Sequence, residues 1–218
     1  LLLIGYQRSS EIYAFLEKRA VPSVVAWSYE PGATHPAIGF DNTGAMAALA
    51  RRVLRLGHRH IGMLSAATAS NDRARGRVNG VLRAMAEAGV PEDDFVLVET
   101  QYAIEAGETA FRRVMARAPA TSAVLCGNDV LAIGALRAAR KMGLRVPKDI
   151  SITGFDDIEL ATLAEPGLTT VHVPHREMGR RAAEMLVRMV KERTPADSIE
   201  LPAHIRLRQS LGPAPPPR

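Results

Sequence analysis

Short apolar runs that stop at polar or glycine-rich tips alternate along this chain with longer stretches whose apolar residues return every three or four positions. The first pattern reads as buried strand and the second as amphipathic helix. Residues 1–4 form a strand signal that looks entered halfway, and 10–19 a short helix with Ser10 as its cap. A strand at 21–27 and a loop at 28–36 follow; residues 37–42 then lead into a helix at 43–56 that Gly57 ends. Next come a strand at 61–65, a polar arginine-rich loop, and a helix from 75 to 88 that stops at Gly89. Strands at 95–100, 124–126 and 150–153 interleave with helices at 104–116, 129–142 and 174–193. A last strand at 204–208 precedes a proline-rich tail at 212–218, expected to fray. Strands separated by helices of this length imply βαβ units and parallel sheets, an α/β fold. Periodicity leaves open whether there is one sheet or two.

Two strand tips concentrate the chemistry. The run Val124-Leu125-Cys126 ends at Gly127-Asn128-Asp129, and Ile150 to Thr153 ends at Gly154-Phe155-Asp156-Asp157. Ligands of open α/β sheets collect beyond the carboxyl ends of the strands. Two successive strands thus aim acceptor-rich tips at one crevice, an arrangement suited to hydroxyl-bearing ligands such as sugars or polyols.

Composition narrows the function classes. With 218 residues, 47% of them hydrophobic and 23% charged, the chain can build a sizeable core. No apolar run reaches the roughly 18–20 residues of a membrane span, and no basic segment opens a signal peptide. One cysteine excludes an internal disulfide and fits a reducing compartment. The net charge of +5 permits nucleic-acid binding, but Arg51-Arg52, Arg112-Arg113 and Arg180-Arg181 lie dispersed in amphipathic helices, where charge means a solvated face. Enzyme motifs are missing: no Gly-x-Gly-x-x-Gly, no phosphate-binding loop, no Gly-x-Ser-x-Gly elbow. His58 and His60 lack metal-ligand spacing, and Cys126 reads as core.

A series of short segments, in this order, resembles the effector-binding core of the lactose-repressor/galactose-repressor family of bacterial transcription regulators. The segments are Asp41-Asn42, Gly57-His58-Arg59-His60-Ile61-Gly62, Arg77-Val78-Asn79-Gly80, Asn128-Asp129, Val146-Pro147-Lys148-Asp149-Ile150, Gly154-Phe155-Asp156-Asp157, Pro166-Gly167-Leu168-Thr169-Thr170-Val171 and Arg208-Gln209-Ser210. Residues 37–64 most resemble the branch of gluconate-utilisation repressors. The resemblance implies two Rossmann-like lobes with parallel sheets, as in periplasmic sugar-binding proteins, joined by three crossovers. It divides the chain into an N-terminal lobe of 1–41 plus 174–198, a C-terminal lobe of 42–173 plus 199–212, and a flexible tail at 213–218. It further implies a small-molecule effector between the lobes, a homodimer, a cytoplasmic location, no cofactor and no catalysis. Operator DNA would be reached only through a helix-turn-helix headpiece that this sequence does not contain, along with the first part of the N-terminal lobe. A sugar-binding protein of a transporter is the alternative that shares the fold, and an enzyme using the cleft a third.

The resemblance also assigns site residues. Arg77 takes the family's Arg-x-x-Gly position, where a guanidinium's five donors grip ligand oxygens; its other reading is a surface arginine at a helix start. On the ligand reading, Arg77→Ala weakens binding and leaves folding nearly intact. Asp156 matches the family's ligand-binding aspartate, with helix capping as its competitor and Asp157 as a partner that divides the tasks. Asn128 offers an acceptor and donors to hydroxyls, or else caps the helix that begins at Asp129. Phe155 lines the cleft or packs the core. Trp27, the single tryptophan, stands at a strand tip where its ring can stack on a sugar. Several sugar-responsive members carry aspartate there. Arg73 is a second cation or a solvated charge, and Tyr6 and Gln7 are further cleft candidates. Val173 replaces a polar ligand-facing residue of the lactose repressor. The ligand these residues favour is a small sugar, sugar acid or polyol.

Overall fold

A computed structural model describes residues 1–194 and 196–216. In chain order its elements are β1 (Leu2–Ile4), α1 (Ser10–Lys18), β2 (Val24–Ala26), β3 (Ala37–Gly39), α2 (Asn42–Arg55), β4 (Ile61–Ser65), α3 (Asp72–Glu87), β5 (Phe95–Glu99), α4 (Ile104–Arg117), β6 (Ala123–Cys126), α5 (Asp129–Lys141), β7 (Ser151–Thr153), α6 (Glu159–Leu163), β8 (Thr170–His172), α7 (His175–Glu192), β9 (Ile199–Glu200) and β10 (His204–Arg206). The strands make two parallel four-stranded sheets, ordered β1-β2-β3-β9 and β5-β4-β6-β7. β8 and β10 form an antiparallel ribbon beside the second. Strands β2, β3, β4, β6 and β7 are buried along their whole length, as parallel strands covered on both faces must be.

The chain leaves the first sheet after β3, returns to it through α7, which packs on β2 and β3, and departs again after β9. This last passage differs from the expected division at residue 199. Ile38 registers with Ile199 and Gly39 with Glu200, and the Leu201 N–H donates to the Gly39 carbonyl, so 199–201 complete the first sheet. Two large core clusters result, beside a small one of Leu3, Leu16, Val25 and Ala37. One fills the space between the second sheet and helices α4 and α5, around Phe111, Leu131 and Ile152. The other is shared by both lobes: Val24 and Ile38 of the first sheet join Met63 and Leu125 of the second, with Phe40 stacked on Phe155 at 5.9 Å.

Polar patterning misplaced three features. α3 begins at Asp72, capped by the Asn71 side chain, which accepts from the Ala74 N–H. The run Asp72-Arg73-Ala74-Arg75-Gly76-Arg77 hides its helical periodicity, and Arg77 therefore sits in the second turn rather than at a helix start. α1 is preceded by Ser9, whose side chain makes no cap bond, so Ser10 is not its cap. The expected free tail is tied down at its root: the Ala214 N–H donates to the Leu56 carbonyl, and buried His58 bonds both Ser122 Oγ and the Gly212 carbonyl. Residues 217–218 of that tail lie outside the described residues. Several arginines are paired locally, as in Arg180–Glu184, Arg181–Glu177 and Arg51–Glu87, exposed pairs that each add little stability.

Candidate functional site

The carboxyl ends of β2, β6 and β7 come together where the two sheets adjoin, at Trp27, Gly127 and Asp156, and Arg77 lies buried beside them. Gly80, three residues on, sets the helix that carries it: a Cβ there would stand 2.5 Å from the Thr43 carbonyl oxygen, so only glycine lets α3 lie this close to α2. Arg77 Nε donates to Asn42 Oδ1 at 3.0 Å, one terminal nitrogen donates to the Gly127 carbonyl, and the other lies 3.6 Å from Asp156 Oδ1. The guanidinium carbon sits 3.8 Å above the centre of the Phe155 ring. With Arg77 only 4% exposed, the charge is held by an amide, a carbonyl, a carboxylate and an aromatic face together. Asn42 extends the network, because its Nδ2 donates to the Trp27 carbonyl at 2.9 Å in the opposite lobe.

Asp156 and Asp157 divide their work. Burial pushes the Asp157 carboxyl up, but bonds from Arg208 at 2.7 Å and His172 at 2.9 Å outweigh it and hold the group below its usual range. Asp157 is thereby spent on the ribbon of β8 and β10. Asp156 points to Arg77; burial raises its pKa against the opposing charges of Arg77 and Arg73. Backbone φ values of +108° at Asp156, +57° at Asp157 and +63° at Trp27 place three non-glycine residues here in strained conformations. Such strain persists only where neighbours over-determine it. Here the Asp156 N–H donates to the Val171 carbonyl, and the Asp129 N–H to that of Phe155.

Several expected ligand residues are spent on structure. Asn128 Oδ1 accepts from the Leu131 N–H at 2.9 Å, so its acceptor caps α5. Phe155 is fully buried beneath the guanidinium and against Phe40, and has no surface to give the cleft. The Tyr6 ring packs with Leu3, Leu16 and Val25, and burial pushes its phenol up to about 12; its backbone N–H donates to Asp72 Oδ2 at 2.8 Å. Arg73 is no free cation: it donates to the Ile4 carbonyl at 2.9 Å and lies 3.1 Å from Asp72 Oδ1. Val173 is buried. Trp27 stands half-buried at the tip of β2, with its Nε1–H donating to His175 Nδ1 at 3.2 Å.

Other residues join the site that sequence reasoning had not named as ligand contacts. Asn42 was visible only as part of a motif. Tyr102, just past β5, is an exposed aromatic whose phenol is raised by burial and lowered by Arg77 nearby; the tip rule that picked out Asp156 applies to it equally. It borders a concavity of about 690 Å³ with Ser70, Asn71, Glu99 and Gln101. His175 and Asp72 carried no sequence signal. A slightly larger hollow of about 710 Å³ lies between the ends of α1 and α7, against Pro22 and Pro36 ahead of β2 and β3. Glu17, His35 and Arg193 line it together with apolar side chains. Among the described residues no cluster of three or more His, Cys, Asp or Glu side chains could hold a metal, and no helix is long and apolar enough to cross a membrane.

Comparison with known proteins agrees with this architecture. Residues 50–211 match the periplasmic binding protein-like domain family. The HTH-type transcriptional repressor PurR of Salmonella newport is 35% identical over 99% of the chain, which spans 64% of that relative's length. The transcription regulator GntR from Chromobacterium violaceum superposes with a TM-score of 0.87 at 30% identity, over 96% of this chain and 77% of that one. A LacI family regulator from Enterococcus faecium with bound ribose gives 0.84 at 25% identity, over 94% and 76%. These relatives are regulators and not enzymes, and they do not favour the transporter alternative. The chain belongs to the lactose-repressor/galactose-repressor family and corresponds to its effector-binding core.

Proposed function

We propose that this chain is the ligand-sensing core of a cytoplasmic bacterial repressor, which binds a small sugar, sugar acid or polyol between its lobes and works as a homodimer. Ligand-dependent closure of the lobes would be passed to a DNA-binding headpiece in the whole protein. One observation carries the reading. Arg77 lies 3.6 Å from Asp156 and is linked through Asn42 to the Trp27 carbonyl, so the three residues gather at the carboxyl ends of both sheets, where we read them as a cation, an acceptor and an aromatic face for a ligand. Asp156 accepts from hydroxyls, Arg77 meets hydroxyls or a carboxylate, and the indole covers a sugar's apolar face. The ribose held by the Enterococcus faecium regulator and the cellobiose held by the regulator CelR, 28% identical to this chain, support a carbohydrate.

A thermal-shift screen of aldoses, aldonic acids, polyols and purines tests this. A ligand at 100 times its Kd adds about 2.7 kcal/mol. For a chain of this size that raises Tm by about 5–10 °C. We expect such a shift from at least one sugar, sugar acid or polyol. A shift from a purine alone contradicts the ligand class.

A further inference from the structure

We propose that His175 is the positioning residue of the cleft, one imidazole that fixes the Trp27 indole and the Asp156 backbone corner to each other across the two lobes. His175 is the first residue of α7, at the point where the chain passes from β8 back to the first sheet. One ring nitrogen, Nδ1, lies 3.2 Å from Trp27 Nε1; the other, Nε2, lies 3.1 Å from the Asp156 carbonyl oxygen. An indole nitrogen only donates and a carbonyl only accepts. The tautomer follows: Nδ1 is the bare acceptor and Nε2 carries the proton. Both bonds end on strained residues, Trp27 at φ +63° and Asp156 at φ +108°, so the ring braces two conformations that neither residue prefers. The two rings are tilted by 35° with centroids 6.0 Å apart, so they meet through the hydrogen bond and are not stacked.

The inference deepens the proposed function and rests on its choice of cleft. With its N–H consumed by His175, the indole meets a ligand as an apolar stacking surface and not as a donor. The direction of the Asp156 carboxylate is set from behind, through its own carbonyl. His175 thus shapes specificity without touching ligand.

The chain has one tryptophan, so its single indole N–H resonance reports this bond without ambiguity. In the unliganded protein, nitrogen NMR should show His175 with its proton on Nε2. Loss of one ordinary hydrogen bond changes a local opening equilibrium about fivefold to tenfold, so His175→Ala should speed indole exchange with solvent by about that factor. His175→Asn, whose amide oxygen takes the place of Nδ1, should restore slow exchange. His175→Gln, which mimics only the Nε2 side, should not. A proton on Nδ1, or indole exchange unchanged in His175→Ala, overturns the proposal; if the alanine variant does not fold, the wild-type tautomer decides. A parallel titration uses D-gluconate as probe, and failure of wild type to bind it counts against the ligand class alone. The NMR outcome stands apart from that result.

Discussion

Around Arg77, five donors meet a carbonyl, an amide oxygen and a carboxylate in a space almost closed to water. This revises what its removal should do. Arg77→Ala strands Asp156 and the Gly127 carbonyl in a site where the arginine is 4% exposed. Breaking a buried pair in this way costs about 3–5 kcal/mol. The alanine variant should therefore melt about 10 °C lower, not fold as the parent does. Arg77→Lys separates the two loads. It keeps the charge but loses the planar fork, so it should retain most of the stability while losing roughly tenfold or more in ligand affinity. Melting curves and calorimetry on the pair check this; equal ligand affinity in the lysine variant would show that the fork is not the anchor.

At the N-terminus of α5, Asp129 accepts from Thr170 Oγ1 at 2.6 Å and from the Ile158 N–H at 2.9 Å, and burial pushes its carboxyl up to about 7. A carboxyl with a folded value above its unfolded one of 3.8 supplies stability at low pH that is lost as pH rises through about 7. Relative to Asp129→Asn, wild type should lose stability between about pH 4 and pH 7, read from denaturant midpoints. A difference that does not change with pH would mean that the two donors outweigh burial. The first turn of α3 sets the cleft mouth in a comparable way: Asp72 accepts from the Tyr6 N–H, Arg73 donates to the Ile4 carbonyl and Arg75 to Gln7 Oε1. These bonds run against Gly5 at φ +70°, where a Cβ would collide with the Arg73 guanidinium. Gly5→Ala should hold the lobes apart, seen as a larger radius of gyration in solution scattering; an unchanged radius would remove this contact from the account. The long elements were legible because their periodicity was, as in α2, α5 and β4. β8, β9 and α6 were not, since two to five residues carry no period. Within the site, Arg77 and Asp156 were legible from motifs. Asn128 was ambiguous because one oxygen serves a cap or a ligand equally well. His175 gave no signal, because its partners lie 148 and 19 residues away.

Across the whole molecule, a single apolar cluster runs from Ile38 and Phe40 of one lobe to Leu125 and Phe155 of the other, so the lobes share packing. The polar contacts of α3 with residues 4–7 tie the two lobes together as well. On the proposed function, lobe closure and ligand capture are one event: a ligand touching Arg77 on one side and Trp27 on the other would favour the closed state by its differential affinity for it. The direct test is a calorimetric titration of an aldonic acid and its parent aldose into the wild-type chain and into Asp156→Asn, at low and high salt. The account predicts saturable one-to-one binding of at least one of the two by wild type. It also predicts affinity in the asparagine variant lower by roughly tenfold, the loss of a charged hydrogen bond. Equal binding by wild type and Asp156→Asn would contradict the claim that the cleft between the lobes is where this protein holds its ligand.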